Sequence, residues 1–233
     1  DFGWGWSFES TNFRIGTNGP LGANWTKEPC EKGQAALFSC VAVRSDRRRL
    51  AVVRWPDGST SSFEMLVENV SAFQQLFSEI RFEALDSQNA LKLANPAEHT
   101  VLIDPSGELR SLTTGLLLDP KSFVMTTPTG VELAIHAEDG LTEIVDSPRR
   151  IIFEDDEIRD SAGTASVQLI RDAAGRIIEM NTEDGAHLYA YDANGDLIRT
   201  DVVDRPKPRV VGEHRRRRPS VKPADRAGRP VVK

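Results

Sequence analysis

Apolar and polar residues alternate in short runs along this chain, and polar clusters that end in glycine break the runs at close intervals. Strand character is clearest at Leu50-Ala51-Val52-Val53-Arg54-Trp55, Phe123-Val124-Met125-Thr126-Thr127, Val131-Glu132-Leu133-Ala134-Ile135, Val167-Gln168-Leu169-Ile170 and Arg176-Ile177-Ile178-Glu179-Met180. A period of two turns one face of each run to a core and the other to solvent, as in antiparallel strands. Turn clusters occur at Pro56-Asp57-Gly58, Asp104-Pro105-Ser106-Gly107, Pro128-Thr129-Gly130, Glu138-Asp139-Gly140, Ser161-Ala162-Gly163, Asp172-Ala173-Ala174-Gly175, Glu183-Asp184-Gly185 and Asp192-Ala193-Asn194-Gly195. Each closes on glycine, which accepts positive φ, and most open on a side chain able to cap its own turn. From Gly163 the turn glycines fall at 175, 185 and 195, in steps of 12, 10 and 10 residues. That spacing is a ladder of strand, turn and strand.

Two stretches depart from this pattern. Between Val70 and Leu85, Phe73, Leu76, Phe77 and Ile80 have helical spacing after Ser71, and Ile80, Phe82 and Ala84 then alternate. This predicts a short helix or turn followed by a strand. From residue 205 onward, Pro206, Pro208, Pro219, Pro223 and Pro230 are spaced among Arg and Lys, which predicts a disordered basic tail. The chain therefore divides into an N-terminal β segment (1–69), a β-rich middle (70–160), a repeat ladder (161–204) and the tail (205–233). The expected fold is all-β, with antiparallel hairpins stacked into a curved wall.

A hydrophobic fraction of 39%, with 17 glycines and 13 prolines, is that of a chain that folds over most of its length. The net charge of −6 conceals two regions. Residues 205–233 hold 11 Lys and Arg against Glu213 and Asp225, a balance of +9, which leaves −15 for the rest. An acidic body excludes nucleic-acid binding through a general basic field. Arg215-Arg216-Arg217-Arg218 would contact phosphates without sequence preference, and it reads first as a self-repelling linker. No run approaches the roughly 18 apolar residues of a membrane span. Asp1 opens the sequence with no initiator Met or apolar leader behind it, so the chain reads as a fragment or processed piece.

Candidate chemistry is sparse. Cys30 and Cys40 flank a short apolar run and form either a disulfide or a pair of buried thiols. His99, His136, His187 and His214 share no metal-ligand spacing with them. The acidic run Glu154-Asp155-Asp156-Glu157, with Asp160, reads as a strand whose carboxylates alternate in direction and discourage edge pairing. Asp192-Ala193-Asn194-Gly195-Asp196 imitates the start of a calcium loop, but its glycine is at the fourth place and no bidentate Glu follows at the required distance. Ser7 and the cysteines lie in no recognised catalytic motif. Trp4, Trp6, Trp25 and Trp55 suit core packing, and alternatively a platform for sugars. No catalytic residue, cofactor or metal ligand is assigned from the sequence.

The most specific string is Tyr189-Ala190-Tyr191-Asp192-Ala193-Asn194-Gly195-Asp196-Leu197, which holds both tyrosines of the protein. Asp192 and Gly195 suit a hairpin turn, with Tyr189, Tyr191 and Leu197 on the flanking strands. The string resembles the YD repeat of Rhs proteins, teneurin-like proteins and the B and C components of Tc toxins. Arg171-Asp172-Ala173-Ala174-Gly175-Arg176-Ile177 is similar to a degenerate copy. Asp1-Phe2-Gly3-Trp4-Gly5-Trp6-Ser7, then Arg14-Ile15, Pro20-Leu21-Gly22 and Trp25, resembles the segment that opens the repeat region in Rhs-type proteins. A cysteine-bearing stretch and a strand ending in Pro-Asp-Gly follow there, here Arg54-Trp55-Pro56-Asp57-Gly58 with Phe63. Asp119 to Thr127, Gly130 and Gly140-Leu141 continue the order, so the likeness spans roughly 1–204. Ser147-Pro148-Arg149-Arg150 replaces a usual Asn-Gly-Asn, the tail matches no repeat, and the Asp-Pro-x-Gly-x-x-Gly signature of many Rhs cores is absent.

The resemblance implies a non-catalytic structural segment of a secreted or cell-surface protein, part of a β-shell that encloses or presents a toxin or other C-terminal cargo. Its partners would be the remainder of the same polypeptide and that cargo, with no specific nucleic acid and no membrane span. The expected turn-formers are Asp172, Gly175, Asp192 and Gly195, and the expected packing residues Trp4, Trp6, Trp55, Tyr189 and Tyr191. The alternative is a carbohydrate-binding surface module or adhesin that offers exposed tryptophans to cell-surface glycans.

Overall fold

A computed structural model describes residues 12–29, 41–69, 77–163 and 166–204. Eighteen strands follow in order. The first part holds β1 (Arg14–Thr17), β2 (Trp25–Pro29), β3 (Val41–Ser45), β4 (Leu50–Arg54), β5 (Thr60–Asn69) and β6 (Ser78–Ala84). Then come β7 (Ala90–Leu93), β8 (Thr100–Ile103), β9 (Leu109–Ser111), β10 (Ser122–Thr126), β11 (Glu132–His136) and β12 (Gly140–Asp146). The last six are β13 (Arg149–Phe153), β14 (Glu157–Asp160), β15 (Ser166–Arg171), β16 (Ile177–Asn181), β17 (Gly185–Tyr191) and β18 (Leu197–Asp204). A 3-10 turn, Pro96–Glu98, is capped by the Asn95 side chain, which accepts from the Ala97 N–H at 3.1 Å.

The strands form antiparallel sheets, as the alternation predicts, and they curl into a half-barrel. One sheet has six strands in the order β1-β4-β5-β6-β8-β9, and β2 and β3 form a separate pair. The other has ten, and from β10 to β18 they lie side by side in chain order, with β7 beyond β10. Strand β7 leaves its sequence neighbours β6 and β8 to pair with β10, Leu93 opposite Phe123 and Leu91 opposite Met125. This crossing ties the two sheets together at one end.

Burial follows the alternation. Ala51 and Val53 of β4, Phe63 and Met65 of β5, Ile80 of β6, Val101 of β8 and Leu109 of β9 point into one core. Leu91, Leu93, Phe123, Met125, Leu133, Ile135 and Leu141 meet them from the ten-stranded sheet. Phe82 and Phe123 touch edge to face across the interface, with centroids 6.0 Å apart.

The six-stranded sheet covers only the start of the ladder; beyond it Leu169 and Ile177 stay buried while other apolar positions become exposed. Along one cross-strand row Leu91, Met125 and Leu133 are buried, Ile144 is half-buried, and Ile151 is 39% exposed. Another row, Leu169, Met180, His187 and Val202, runs from 7% to 64% exposed. The ladder thus keeps its apolar face after losing the layer that would bury it.

Arg49 fixes the β2–β3 pair to the body. Its side chain is fully buried, Nε donates to Ser45 Oγ at 2.9 Å, and one terminal nitrogen reaches the Ala23 and Asn24 carbonyls and the Asp46 carboxylate. The other terminal nitrogen has no partner, and burial lowers the guanidinium pKa. A cleft of about 580 Å³ opens alongside, lined by Trp25, Val43, Arg48 and Met65 among others.

Several boundaries differ by a residue from the sequence expectation. Trp55 and Thr127 begin turns instead of ending strands, and Val131 and Arg176 close turns before β11 and β16 start. Of the run 154–157, expected above to be strand, only Glu157 is. Glu154, Asp155 and Asp156 form the bend between β13 and β14, and Glu157 opens β14. The Asp156 carbonyl accepts from the Leu169 N–H at 2.7 Å, which holds that bend against β15. Of the stretch from Val70 to Leu85, Ser78–Ala84 is strand, and its expected helix or turn lies outside the described residues. The expected disordered tail, 205–233, also lies outside them.

Unequal cover has a measurable consequence. Phe123→Ala opens a cavity under the sheet interface and should cost about 3–5 kcal/mol in chemical denaturation. Ile198→Ala at the far end should cost less than about 0.5 kcal/mol. Amide exchange should be slowest in β10–β12 and fastest in β18.

Candidate functional site

Five hairpins, two in the six-stranded sheet and three in the ladder, share one turn device. At Trp55, Asp104, Thr127, Asp172 and Asp192 the backbone N–H donates to the carbonyl four residues on, while the N–H of an intervening glycine returns to the first residue's carbonyl. Those glycines, Gly58, Gly107, Gly130, Gly175 and Gly195, all have φ between +80° and +90°. This is a type I turn closed by a left-handed residue, a common hairpin geometry for loops of this length. Gly163 repeats the inner bond to the Asp160 carbonyl at 2.9 Å. Proline occupies the second position in three cases, Pro56, Pro105 and Pro128, where its fixed φ suits the turn.

The aspartates satisfy what the backbone leaves open. Asp172 Oδ1 accepts the N–H groups of Ala174 and Arg176, both at 2.9 Å, and Asp192 Oδ1 accepts those of Asn194 and Asp196, also at 2.9 Å. Asp104 Oδ1 does the same for Ser106 and Glu108. In the turn that opens on Thr127, the Thr127 hydroxyl accepts from the Val131 N–H at 3.1 Å. Thus the carboxylate oxygen of Asp192, the first position of the imitated calcium loop, is engaged by its own backbone.

Neighbouring turns of the ladder interlock. Arg176 Nε donates to Asp172 Oδ2 at 2.7 Å, and the guanidinium lies over the Tyr191 ring, 4.7 Å from its centroid. Tyr191 Oη donates to the Ile177 carbonyl at 2.6 Å. A Cβ added at Gly195 would stand 3.3 Å from Arg176 Nη1. Arg171 extends the stack in the other direction, donating from Nη1 to the Gly175 carbonyl at 2.9 Å and from Nε to the Asp155 carbonyl at 3.2 Å. Asp155, Asp172, Gly175, Arg176, Tyr191 and Gly195 therefore form one seam along an end of the wall. The linking role of Arg176 is not read from periodicity. Its signal is an arginine directly after the turn glycine, one repeat before a tyrosine.

The other expected packing residues divide by location. Trp55 is half-buried, tilted against Phe13 with centroids 5.4 Å apart, and its Nε1 donates to Ser61 Oγ at 3.0 Å. Trp25 is buried and donates to the Leu21 carbonyl at 2.8 Å. Tyr189 is half-buried opposite Thr200. Trp4, Trp6, Cys30 and Cys40 lie outside the described residues. Among the described residues no group of three or more His, Cys, Asp or Glu could hold a metal ion, and no helix is long and apolar enough to cross a membrane.

The electrostatics follow the turns. The Arg176 side chain, and then its backbone N–H, hold the Asp172 carboxyl below the ordinary value of 3.8. Backbone N–H donation from Asp196 does so for Asp192. The Arg110 side chain, with Ser106, holds Asp104 far below that value. Burial raises the Tyr191 and Tyr189 hydroxyls above their usual range. No protein-family model matches the chain, and no curated protein matches it.

Three variants probe the seam. Gly195→Val forces a β-branched residue to φ near +90° and crowds Arg176, so it should lower stability by about 1–3 kcal/mol. Unchanged thermal unfolding would contradict the interlock. Tyr191→Phe leaves the Ile177 carbonyl without its donor, at a cost of about 1 kcal/mol. Acid is the third probe. Aspartates with depressed folded pKa values stabilise the fold fully above the unfolded value of 3.8, and that contribution is lost as pH falls through the folded values. The melting temperature should therefore drop below about pH 4, with a shallower drop in Asp172→Asn.

Proposed function

We propose that this chain is a non-catalytic wall segment of a secreted Rhs/YD-repeat protein, part of a β-shell that encloses or presents a toxin or other C-terminal cargo. The observation that carries the reading is the uncovered apolar face. Nine consecutive strands lie in chain order, and the rows ending at Ile151 and Val202 continue past the covering sheet. A domain built only to be stable would end its apolar rows where its second layer ends. A curled wall built to face further strands, or a cargo, needs those rows to continue.

The Tyr191, Asp192 and Gly195 string supports the same reading through its mechanics. Tyr191 holds its hairpin to the previous one, Asp192 closes its own turn, and Gly195 leaves room for Arg176, which together suit an extendable wall. The expected partners are the remainder of the same polypeptide and its cargo. The alternative, a glycan-binding module using exposed tryptophans, gains nothing from Trp25 and Trp55, whose rings are engaged in packing.

The test is electron microscopy, with limited proteolysis, of the polypeptide that carries this segment, isolated from the producing cells with an antibody to it. A hollow β-walled particle that shields its C-terminal part from added protease is the expected result. An extended particle digested evenly throughout would overturn the proposal.

A further inference from the structure

The ten-stranded sheet ends at β18, which pairs with β17 on one side and with no described strand on the other. Its eight residues, Leu-Ile-Arg-Thr-Asp-Val-Val-Asp, leave Ile198, Val202 and Val203 at 65%, 64% and 51% exposure. Arg199 and Asp201 sit on one face and pair with each other at 2.7 Å. Charges on an edge strand ordinarily discourage pairing with another edge. The spacing of these two does the opposite for one partner.

A strand that pairs antiparallel with its own copy can use only registers in which residues of the same parity face each other, because outward N–H and C=O groups alternate along an edge. With Thr200 opposite Thr200, Arg199 faces Asp201 and Asp201 faces Arg199, and Val202 comes opposite the bulge that β18 makes at Leu197 and Ile198. Shifting the alignment by one step either way puts Asp201 against Asp201, or Arg199 against Arg199. Like charges directly opposite are destabilising, and opposite charges and apolar pairs are favourable. The sequence of β18 is therefore self-complementary in one register and repelled in the two beside it.

From this we infer that β18 is a homodimerisation edge, and that its partner is β18 of a second copy of this chain, related by a twofold axis through Thr200. Both ladders then join in one continuous sheet with their apolar faces on the same side. Val202, the exposed end of the row from Leu169, lies against the Leu197–Ile198 bulge of the other copy. The inference stands apart from the proposed function, since it depends only on the edge and its charges.

Sedimentation equilibrium of the whole chain tests it. The chain should show a concentration-dependent monomer–dimer equilibrium, and residues 197–203 should gain amide protection as dimer accumulates. R199D and D201R should each raise the dimer dissociation constant by at least about tenfold, with far-UV circular dichroism unchanged. An equimolar mixture of the two should dimerise again, because the R199D strand presents only carboxylates where the D201R strand presents only guanidinium groups. R199D/D201R on one chain should also restore the dimer. A chain that stays monomeric at every concentration overturns the inference, and so does a dimer unmoved by either single substitution. If a variant loses its fold, the decision passes to amide protection in the unaltered chain, where its absence at 197–203 under dimerising conditions is equally decisive.

Discussion

Five hairpins of this protein close on a turn that satisfies its own backbone: an N–H that reaches four residues forward, a glycine N–H that reaches three residues back, and in three of them an aspartate oxygen that takes two more N–H groups. Leaving such groups buried and unpaired is costly, and an open sheet has many of them at its ends. Because each turn is locally complete, a strand can be added without help from the core. Three of the eight connections between β10 and β18 carry this turn, at Thr127, Asp172 and Asp192, and they help nine strands to lie in series.

The two sheets divide the work. The six-stranded sheet, with β7 crossing from it to the ladder, supplies the hydrophobic anchor. The ladder beyond β12 depends more on the seam at its end, where an arginine lies between the aspartate of its own turn and the tyrosine of the next repeat. A fold held in this way is stiff along its hairpins and thinly buried on its faces. Those are properties of a wall, and they favour the architectural reading of the chain over a reading built around a pocket.

The turns and strand alternation were legible because both are local. Gly175 and Gly195 mark positions that demand positive φ, and Leu133 and Ile135 show the period-two burial that their neighbours imply. What the sequence concealed is non-local. Nothing around Ala90–Leu93 announces that this strand changes sheets, since its partner lies some thirty residues on. Arg49 stands within the charged run Asp46–Arg49, yet it alone of that run is buried, drawn in by the carbonyls of residues 23 and 24. The acidic bend at Glu154 was misread because charge suggested an edge strand where tight chain reversal was the actual constraint. Of the candidate seam, the Asp, Gly and Tyr positions were readable and the joining role of Arg176 was not.

The serial order from β10 to β18 also has a bearing on how the molecule comes into being. During synthesis every new hairpin meets a template already in place, because its only ladder neighbour was made just before it. Growth in that direction requires no waiting for distant chain, whereas a hairpin detached from its predecessor has no edge to build on. A ribosome or an export channel delivering this polypeptide from its amino end would therefore lay down the sheet in the order in which it is to stand.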